Sequence, residues 1–333
     1  YVVTDLERKT RIAFIYKDCL SLSENNFFTQ HRNLFLKALT RNENVDVSYY
    51  LCEKDFSIDK IKGKTDAILL YEDQNYWANC VPDELIGIQN STVPVIVKIG
   101  DPWDGTKYDV KSSQEKYKID GYFGTYATDF FYKYYPKNFK YKCILYGIEP
   151  SLYENVNPYE NRIKGKILNS GAIASRKITN RIFAKLTKGE NDPMKHYKLR
   201  TMCNNLPYVD YTTTLGHEYV GDKYSLLLQK YTAAIAATTD IYTIKYFEMP
   251  AAGCLTFMEV SEKNHATNLG FEDGKNAIFI NEKNYTEKFQ EYLQDIDNPK
   301  WKQIADMGRE YSMKNFNNDN GVATLLEFIK EFL

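Results

Sequence analysis

Short, continuously apolar runs recur along this chain, separated by segments with the periodicity of surface helices. Runs of about four to eight apolar residues are typical of strands buried on both faces. Alternation of such strands with amphipathic helices favours a parallel sheet covered by helices. In the N-terminal half, the predicted strands are TRIAFIY (Thr10–Tyr16), VDVSYYL, DAILLYED (Asp66–Asp73), VPVIVKIGD (Val93–Asp101), GYFGTY (Gly121–Tyr126) and KCILYGI (Lys142–Ile148).

A second round of strands and helices begins near Gly165. Its predicted elements are the strand GKILNSG, the helix RKITNRIFAKL, the strand YVDYTT, the helix DKYSLLLQKYTAAIA (Asp222–Ala236) and the strand AIFIN (Ala277–Asn281). The polar segment Glu149–Lys164 carries two prolines and is predicted to be a linker. We therefore predict an α/β fold with two Rossmann-like doubly wound parallel-sheet domains that face across a cleft. Ligands of such sheets bind at the carboxyl ends of the strands.

The expected domain boundaries are 1–150 for the N-terminal domain and 151–312 for the C-terminal domain. A C-terminal helical segment, 313–333, follows, and its packing back on the N-terminal domain is left open. The chain has 333 residues, which suits two domains or one large one.

Composition argues against several classes of protein. The net charge is −1, so no global field attracts nucleic acid, and we predict no nucleic-acid partner. The six cysteines form no CxxC pair and there are four histidines, so we predict no metal site. Cysteines within apolar runs are typical of reduced thiols. With no signal peptide and no transmembrane run, a cytoplasmic chain is predicted.

A stretch rich in aromatic residues and lysines, Tyr122–Lys142, bears on the location of the chain. Such a composition suits contact with sugars, with anionic lipid head groups or with single-stranded nucleic acid. The alternative is a strand and a helix with lysines that extend into solvent. Peripheral attachment to the inner face of a membrane therefore stays open.

Two acids flank a predicted turn in DIYTIKYFEMPAAGCLTF, which begins at Asp240 and has its second acid at Glu248. We expect a helix from about Thr243 to Ala252, with Thr243 as N-cap and Gly253 just past the end. Its first N–H groups would suit a phosphate. Alternatively, Asp240 caps the helix and Glu248 pairs with Lys245 or another surface charge.

A second candidate for contact with phosphate is NSGAIASRKITNR, where a predicted strand ends. Gly171 lets the backbone approach a ligand, and Arg176 and Lys177 stand near the start of the next helix. A cation there can neutralise a diphosphate leaving group. Lys245 would be a third cation. The alternative is a solvated basic helix start.

The stretch that begins at Asp240 resembles the donor-binding segment of GT-B glycosyltransferases, in which an acid, seven residues and a Glu precede a small-residue run and a strand. It is most similar to the branch related to spore-maturation glycosyltransferases, with the pattern Lys-x-Phe-Glu-x-x-Ala-x-Gly. Asp240 replaces the more usual first Glu. The residues that fit the pattern are Lys245, Phe247, Glu248, Ala251 and Gly253.

The resemblance implies GT-B architecture, with a nucleotide-sugar donor on the C-terminal domain and an acceptor on the N-terminal domain. It implies that Glu248 binds ribose hydroxyls, that Asp240 faces the donor sugar and that the turn at Thr243 faces the phosphates. Related enzymes have a Gly-Arg pair where this chain has Gly171 and Ala172, which leaves Arg176 or Lys177 to supply the charge.

Acceptor-side candidates follow the predicted strand VPVIVKIGD, at its carboxyl end. They are Asp101, Trp103 and Asp104 in GDPWDG. An inverting enzyme needs a base there to take the proton of the acceptor hydroxyl, and Asp101 is the candidate. A retaining enzyme could use Asp101 only to orient that hydroxyl. Asp-Pro is also a common turn start.

We predict a glycosyltransferase that moves a sugar from a nucleotide-sugar to a glycan, lipid-linked or protein acceptor. Retention is expected, and metal independence too, because cations and a helix end can replace a divalent ion. No cofactor beyond the nucleotide-sugar substrate is predicted. The alternatives are an inverting transferase with Asp101 as base, a nucleotide-sugar epimerase and a non-catalytic glycan-binding module.

Overall fold

The computed structural model describes residues 8–17, 27–71, 80–175, 177–187, 192–213 and 216–333. The chain divides into two compact units. Unit 1 contains the described residues up to Tyr146 together with Asn318–Leu333, and unit 2 is Gly147–Asn317. The two units are built from separate sheets, and each is described by itself.

Unit 1 is built on parallel strands joined by helices and short turns. Its strands are β1 (Thr10–Lys17), β2 (Val45–Cys52), β3 (Phe56–Ser57), β4 (Ala67–Tyr71), β5 (Leu85–Ile86), β6 (Val95–Lys98), β7 (Ile119–Gly124) and β8 (Tyr141–Cys143). Its first three α-helices are α1 (Phe27–Arg41), α2 (Val110–Tyr117) and α3 (Thr128–Phe131). Six strands form the main sheet in the order β2-β1-β4-β6-β7-β8, and β3 pairs with β5.

Both faces of the central part of the main sheet of unit 1 are covered, which explains the continuously apolar runs of its central strands. Along β1, Ile12 and Phe14 belong to one core cluster, and Ala13 and Ile15 belong to the other. Residues of α1 pack in the first cluster, while α2 and α3 contribute to the second. Successive side chains of a strand point to opposite faces, so two buried faces require apolar residues at every position.

Unit 2 repeats the pattern with a smaller sheet. Its strands are β9 (Ile163–Ser170), β10 (Val209–Thr212), β11 (Tyr231–Ala236), β12 (Leu255–Glu259) and β13 (Ile278–Ile280). Its helices are α4 (Ile178–Thr187), α5 (Pro193–His196), α6 (Lys198–Cys203), α7 (Tyr224–Leu228), α8 (Lys245–Ala251), α9 (Tyr285–Gln294) and α10 (Pro299–Asn315). The sheet is parallel throughout, in the order β10-β9-β11-β12-β13.

The last helix, α11 (Asn318–Lys330), belongs to unit 1. Its buried face joins the first core cluster of that unit beside α1. Gly321 faces Tyr146, where a Cβ would come within 2.6 Å of the tyrosine Cβ. A close approach of α11 to the unit 1 core therefore depends on that glycine.

One predicted element is wrong. The stretch Asp222–Ala236 was expected to be a single helix, but α7 ends at Leu228 and Tyr231–Ala236 is a central strand of the sheet. All six residues of β11 are buried. A short run that is apolar on every side has neither a helical nor an alternating period, so pattern alone cannot distinguish a buried strand from a buried helix.

The expected fold class, two Rossmann-like parallel-sheet domains, is confirmed by the two sheets. The segment predicted as a linker is packed on unit 2, where Glu149, Tyr153 and Arg162 are buried. Cys80 is disulfide-bonded, so the expectation of reduced thiols is wrong for that residue. Cys52, Cys143, Cys203 and Cys254 are not disulfide-bonded. Within the described part of the chain, no helix is both long enough and apolar enough to span a bilayer.

Candidate functional site

The carboxyl ends of β9 and β11 form the topological switch point of unit 2. From β9 the chain passes to β10 on one side, and then crosses to β11 on the other side. Ligands of open parallel sheets bind at such a point, where the two connections leave in opposite directions. Gly171 follows β9 directly, and the segment after β11 leads into α8. The candidate site is built from these two segments and from α6.

The backbone of Gly171 is fixed by β10. Its N–H donates to the Thr212 carbonyl at 3.0 Å, and its carbonyl accepts from the Tyr211 hydroxyl at 2.8 Å. Its φ is 119°, which L side chains rarely adopt. A Cβ here would lie 2.8 Å from Nη1 of Arg200 and 3.0 Å from Cε of Lys245. Glycine therefore allows two cationic side chains to approach the end of β9.

Arg200, on α6, is the more deeply buried of these cations, with 2% of its surface exposed. Its guanidinium lies 4.6 Å from the Tyr197 ring centroid, and Nη1 donates to the Ala172 carbonyl at 3.3 Å. Among the described residues, its Nε and Nη2 have no hydrogen-bond partner. Unpaired N–H groups of a buried charge are costly. Such a guanidinium is suited to receive an anion.

Arg162 shows how a structural arginine of the same unit differs. It is 5% exposed, so its burial is comparable. Its Nε and Nη2 donate to the Asn157 carbonyl at 2.8 and 2.6 Å, and its Nη1 donates to the Tyr231 carbonyl at 3.5 Å. Every guanidinium nitrogen of Arg162 is bonded, whereas two nitrogens of Arg200 are not bonded within the described residues.

Lys245, the first residue of α8, is 8% exposed. Its Nζ lies 4.7 Å from the Tyr224 ring centroid and donates to the Tyr224 hydroxyl at 3.4 Å. That hydroxyl in turn donates to Oγ of Ser170, at the end of β9, at 3.1 Å. Burial lowers the pKa of Lys245, and Arg200 lowers it further, while Glu248 opposes both.

Glu248, one helical turn after Lys245, is almost fully buried. Burial raises the pKa of its carboxyl, and the positive charge of Lys245 partly offsets that rise. After burial itself, Glu248 is the largest influence raising the pKa of the Tyr153 and Tyr224 hydroxyls. Two cations and one acid thus share an environment that suits a ligand with a diphosphate and hydroxyl groups.

Asp240 is held by a different set of residues. Its Oδ2 lies 3.0 Å from Nδ1 of His196, and its Oδ1 lies 3.2 Å from Nζ of Lys263. It does not cap α8, whose N-cap position is Ile244. The structure therefore gives both carboxylate oxygens charged or titratable partners.

Glu259, the last residue of β12, lies in the same electrostatic neighbourhood as Asp240 and Arg200. Burial raises the pKa of its carboxyl to about 7, and the carboxylates of Glu282 and Asp240 add to that rise. Arg200 and Lys263 act in the opposite direction. Arg200 therefore interacts electrostatically with the acid Glu259 as well as with the cation Lys245.

The predicted helix start is corrected by the structure. The helix begins at Lys245 rather than near Thr243, and the Thr243 hydroxyl is buried without a hydrogen bond to any described residue. The N–H of Tyr242 donates to the Asn264 carbonyl at 3.0 Å, so it is not available to an anion. Gly253, with φ 81°, follows the helix, which confirms the predicted C-terminal position.

The basic loop after Gly171 is placed only in part. Lys177 is exposed just before α4, and Arg176 lies outside the described residues. The cations next to Gly171 are Arg200 and Lys245. Arg200 was missed by the sequence analysis because it comes from a distant segment and lies beside Leu199 without a motif of its own. Its guanidinium contacts Ala172, the position at which the expected arginine is absent.

The three acceptor-side candidates lie in unit 1, after β6. Asp101 accepts a short hydrogen bond from the Tyr126 hydroxyl. Trp103 makes edge contacts with the rings of Tyr126 and Phe130 at 6.1 and 6.3 Å. The buried Asp104 forms an ion pair with Lys107. Their proposed roles stay predictions.

In the described ranges, no group of three or more His, Cys, Asp and Glu side chains could hold a metal ion. Metal independence stays a prediction.

Several solved structures resemble the whole chain. A glycosyltransferase from Rickettsia africae gives a TM-score of 0.57 at 11% identity, over 97% of this chain and 98% of that chain. HepE from Anabaena in complex with UDP-glucose gives 0.57 at 12% identity, over 96% and 99%. Sucrose-phosphate synthase from Thermosynechococcus elongatus gives 0.50 at 11% identity, over 97% and 99%. These similarities establish the GT-B fold.

No protein-family profile matches the sequence, and no curated protein matches it with significant similarity. The resemblance to the spore-maturation branch therefore stays a prediction.

Substituting Gly171 tests the close approach of the two cations. We expect Gly171→Ala to lower the free energy of unfolding by about 1–3 kcal/mol for the backbone conformation alone, with a further loss from displacing Arg200 and Lys245. Gly165→Ala is the matched control, because Gly165 has φ 75° and nothing within 4 Å of its Cβ position. Urea unfolding of both variants measures the difference. Equal destabilisation would contradict the proposed crowding.

Glu259 predicts a specific pH dependence. Its folded-state pKa lies above the ordinary value, so the stabilisation from its protonation is present at low pH and is lost as pH rises through about 7. Between about pH 4.5 and 7, wild type should lose up to about 3 kcal/mol of stability relative to Glu259→Gln. Thermal unfolding against pH measures this. The exposed Glu262→Gln is the control and should keep the wild-type slope; an unchanged slope in Glu259→Gln would disprove the assignment.

Proposed function

We propose that this chain is a glycosyltransferase that transfers a sugar from a nucleotide-sugar to a glycan, lipid-linked or protein acceptor. The observation that carries the proposal is the convergence of the buried Arg200 and Lys245 on Gly171, at the switch point of a GT-B fold. One structure with this fold, HepE from Anabaena, is a complex with UDP-glucose.

The donor's diphosphate would accept hydrogen bonds from Nε and Nη2 of Arg200, which have no partner among the described residues, and from the ammonium of Lys245. During transfer, the bond between the anomeric carbon and the diphosphate oxygen breaks while the acceptor hydroxyl oxygen bonds to that carbon. Negative charge develops on the leaving phosphate, which can take the proton of the hydroxyl. Cations that are fixed before the reaction stabilise this charge without reorganisation, and burial strengthens their effect. Arg200 would thus replace the arginine that the sequence lacks at position 172.

Glu248 would accept hydrogen bonds from the ribose hydroxyls of the donor. Its place one turn from Lys245 supports this, because one ligand can then contact both side chains through its ribose and its phosphates. The carboxylate oxygens of Asp240 lie next to His196 and Lys263. We propose that this carboxylate contacts the donor sugar. Lys177 and Thr243 remain proposed phosphate contacts.

For the stereochemistry we propose retention without a metal ion. The two cations support metal independence, since they can take the charge that a divalent ion otherwise neutralises. Asp101 would orient the acceptor hydroxyl, with Trp103 and Asp104 beside it. Asp101 accepts a hydrogen bond from the Tyr126 hydroxyl. A carboxylate that accepts hydrogen bonds also suits the alternative role of a base in an inverting enzyme.

Donor binding tests the function directly. A thermal-shift screen against UDP-, GDP-, ADP-, CMP- and dTDP-sugars should give one nucleotide class that raises Tm. Arg200→Gln and Lys245→Gln should each weaken its binding about 10- to 100-fold, because each removes a charged hydrogen bond. Arg162→Gln removes a comparably buried guanidinium away from Gly171 and is the matched control. Failure of every donor to shift Tm, or equal affinity of Arg200→Gln and wild type, would contradict the proposal.

Product stereochemistry separates the mechanisms. With an active donor and acceptor, NMR of the first-formed product should show the donor's anomeric configuration. The opposite anomer would indicate inversion and make Asp101 the base. Conversion of the donor without an acceptor into an isomeric nucleotide-sugar would indicate an epimerase instead.

A further inference from the structure

Helix α4 exposes four large apolar side chains on the outside of unit 2. Ile178, Ile182, Phe183 and Leu186 are 71%, 56%, 64% and 79% exposed. No described side chain of α4 belongs to the core cluster of unit 2, whereas α6 and α9 each contribute buried residues to it. Contiguous apolar surface of this kind marks an interaction site rather than a solvated helix.

The apolar residues form one stripe. Ile178, Ile182 and Leu186 are spaced four residues apart, so they lie one above another on the helix, and Phe183 widens the stripe. Large apolar side chains are also exposed singly elsewhere in unit 2, such as Leu226 at 53%, whereas α4 exposes four of them on one helix. The surface thus has the width and continuity that insertion into an apolar phase requires.

Positive charge runs beside the stripe. Lys177, Arg181 and Lys185 each precede one of its apolar residues, so they form a second, parallel row. Arg181 is anchored through Nε, which donates to the Ser175 carbonyl at 2.6 Å, while Lys177 and Lys185 are exposed. From residue 171 to residue 189 the sequence has five cations and no acid, although the chain as a whole is nearly neutral.

We propose that α4 binds the surface of an anionic lipid bilayer, with its apolar stripe in the head-group region and Arg181 and Lys185 on lipid phosphates. An amphipathic helix with a basic row next to large apolar residues has the chemistry of an interfacial anchor. A second copy of this chain fits less well, because two such helices would bring rows of like charge together.

Vesicle binding tests this surface without any donor, so its outcome is separate from that of the proposed transferase activity. The full chain should co-sediment with vesicles of phosphatidylglycerol and phosphatidylcholine, and much less with phosphatidylcholine alone. Added salt should weaken the binding. Emission from a Phe183→Trp variant should shift to the blue on the anionic vesicles, which reports insertion of that position.

Variants of the helix separate the two contributions. Leu186→Ser should weaken binding about tenfold or more, and Lys185→Gln about fivefold. The matched controls are Leu226→Ser, which removes a leucine that is 53% exposed on α7, and Lys283→Gln, which removes another exposed lysine. Both should bind as wild type does.

Three results would overturn the proposal. The first is absence of binding to anionic vesicles. The second is equal loss of binding in Leu186→Ser and Leu226→Ser. The third is a dimer, seen by light scattering, that Leu186→Ser dissociates, because this would assign the stripe to a second copy of the chain.

Discussion

Two positive charges buried against one glycine impose the strictest physical requirement in this molecule. Arg200 and Lys245 lose their hydration and repel each other, and burial makes both effects larger. The fold compensates with neighbouring groups: the rings of Tyr197 and Tyr224 lie near the cations, and Glu248 lies near Lys245. These compensations leave two guanidinium nitrogens unbonded among the described residues. The diphosphate of the proposed donor would supply partners for both nitrogens.

The sheet explains how residues so distant in sequence reach one point. Gly171 ends β9 and Lys245 follows β11, and these strands are neighbours although the whole of β10 and its connections intervene in the sequence. Arg200 enters from α6, which packs against the same sheet through Leu199 and Cys203. Parallel pairing aligns the carboxyl ends of adjacent strands, so each connection contributes its first residues to a common edge.

Sequence reasoning could predict the elements whose signal is local. The continuous apolar runs of β1, β4 and β6 predicted strands that the structure confirms, since a strand buried on both faces needs apolar residues throughout. Gly171, Lys245 and Glu248 were also singled out, and the structure brings them together. Arg200 could not be predicted, because its role depends on contact between separated segments. The strand at Tyr231–Ala236 was assigned to a helix, because its small apolar residues have no period.

The shifted pKa values of Lys245 and Glu248 affect the heat of ligand binding. Burial lowers the pKa of Lys245 and raises the pKa of Glu248, so both values move toward neutral pH. A polyanion beside them would raise both values, because negative charge favours the protonated form of an amine and of a carboxyl alike. Binding of such a polyanion would therefore make Lys245 and Glu248 take up protons from solution. The heat of binding measured by calorimetry would then vary with the ionisation enthalpy of the buffer.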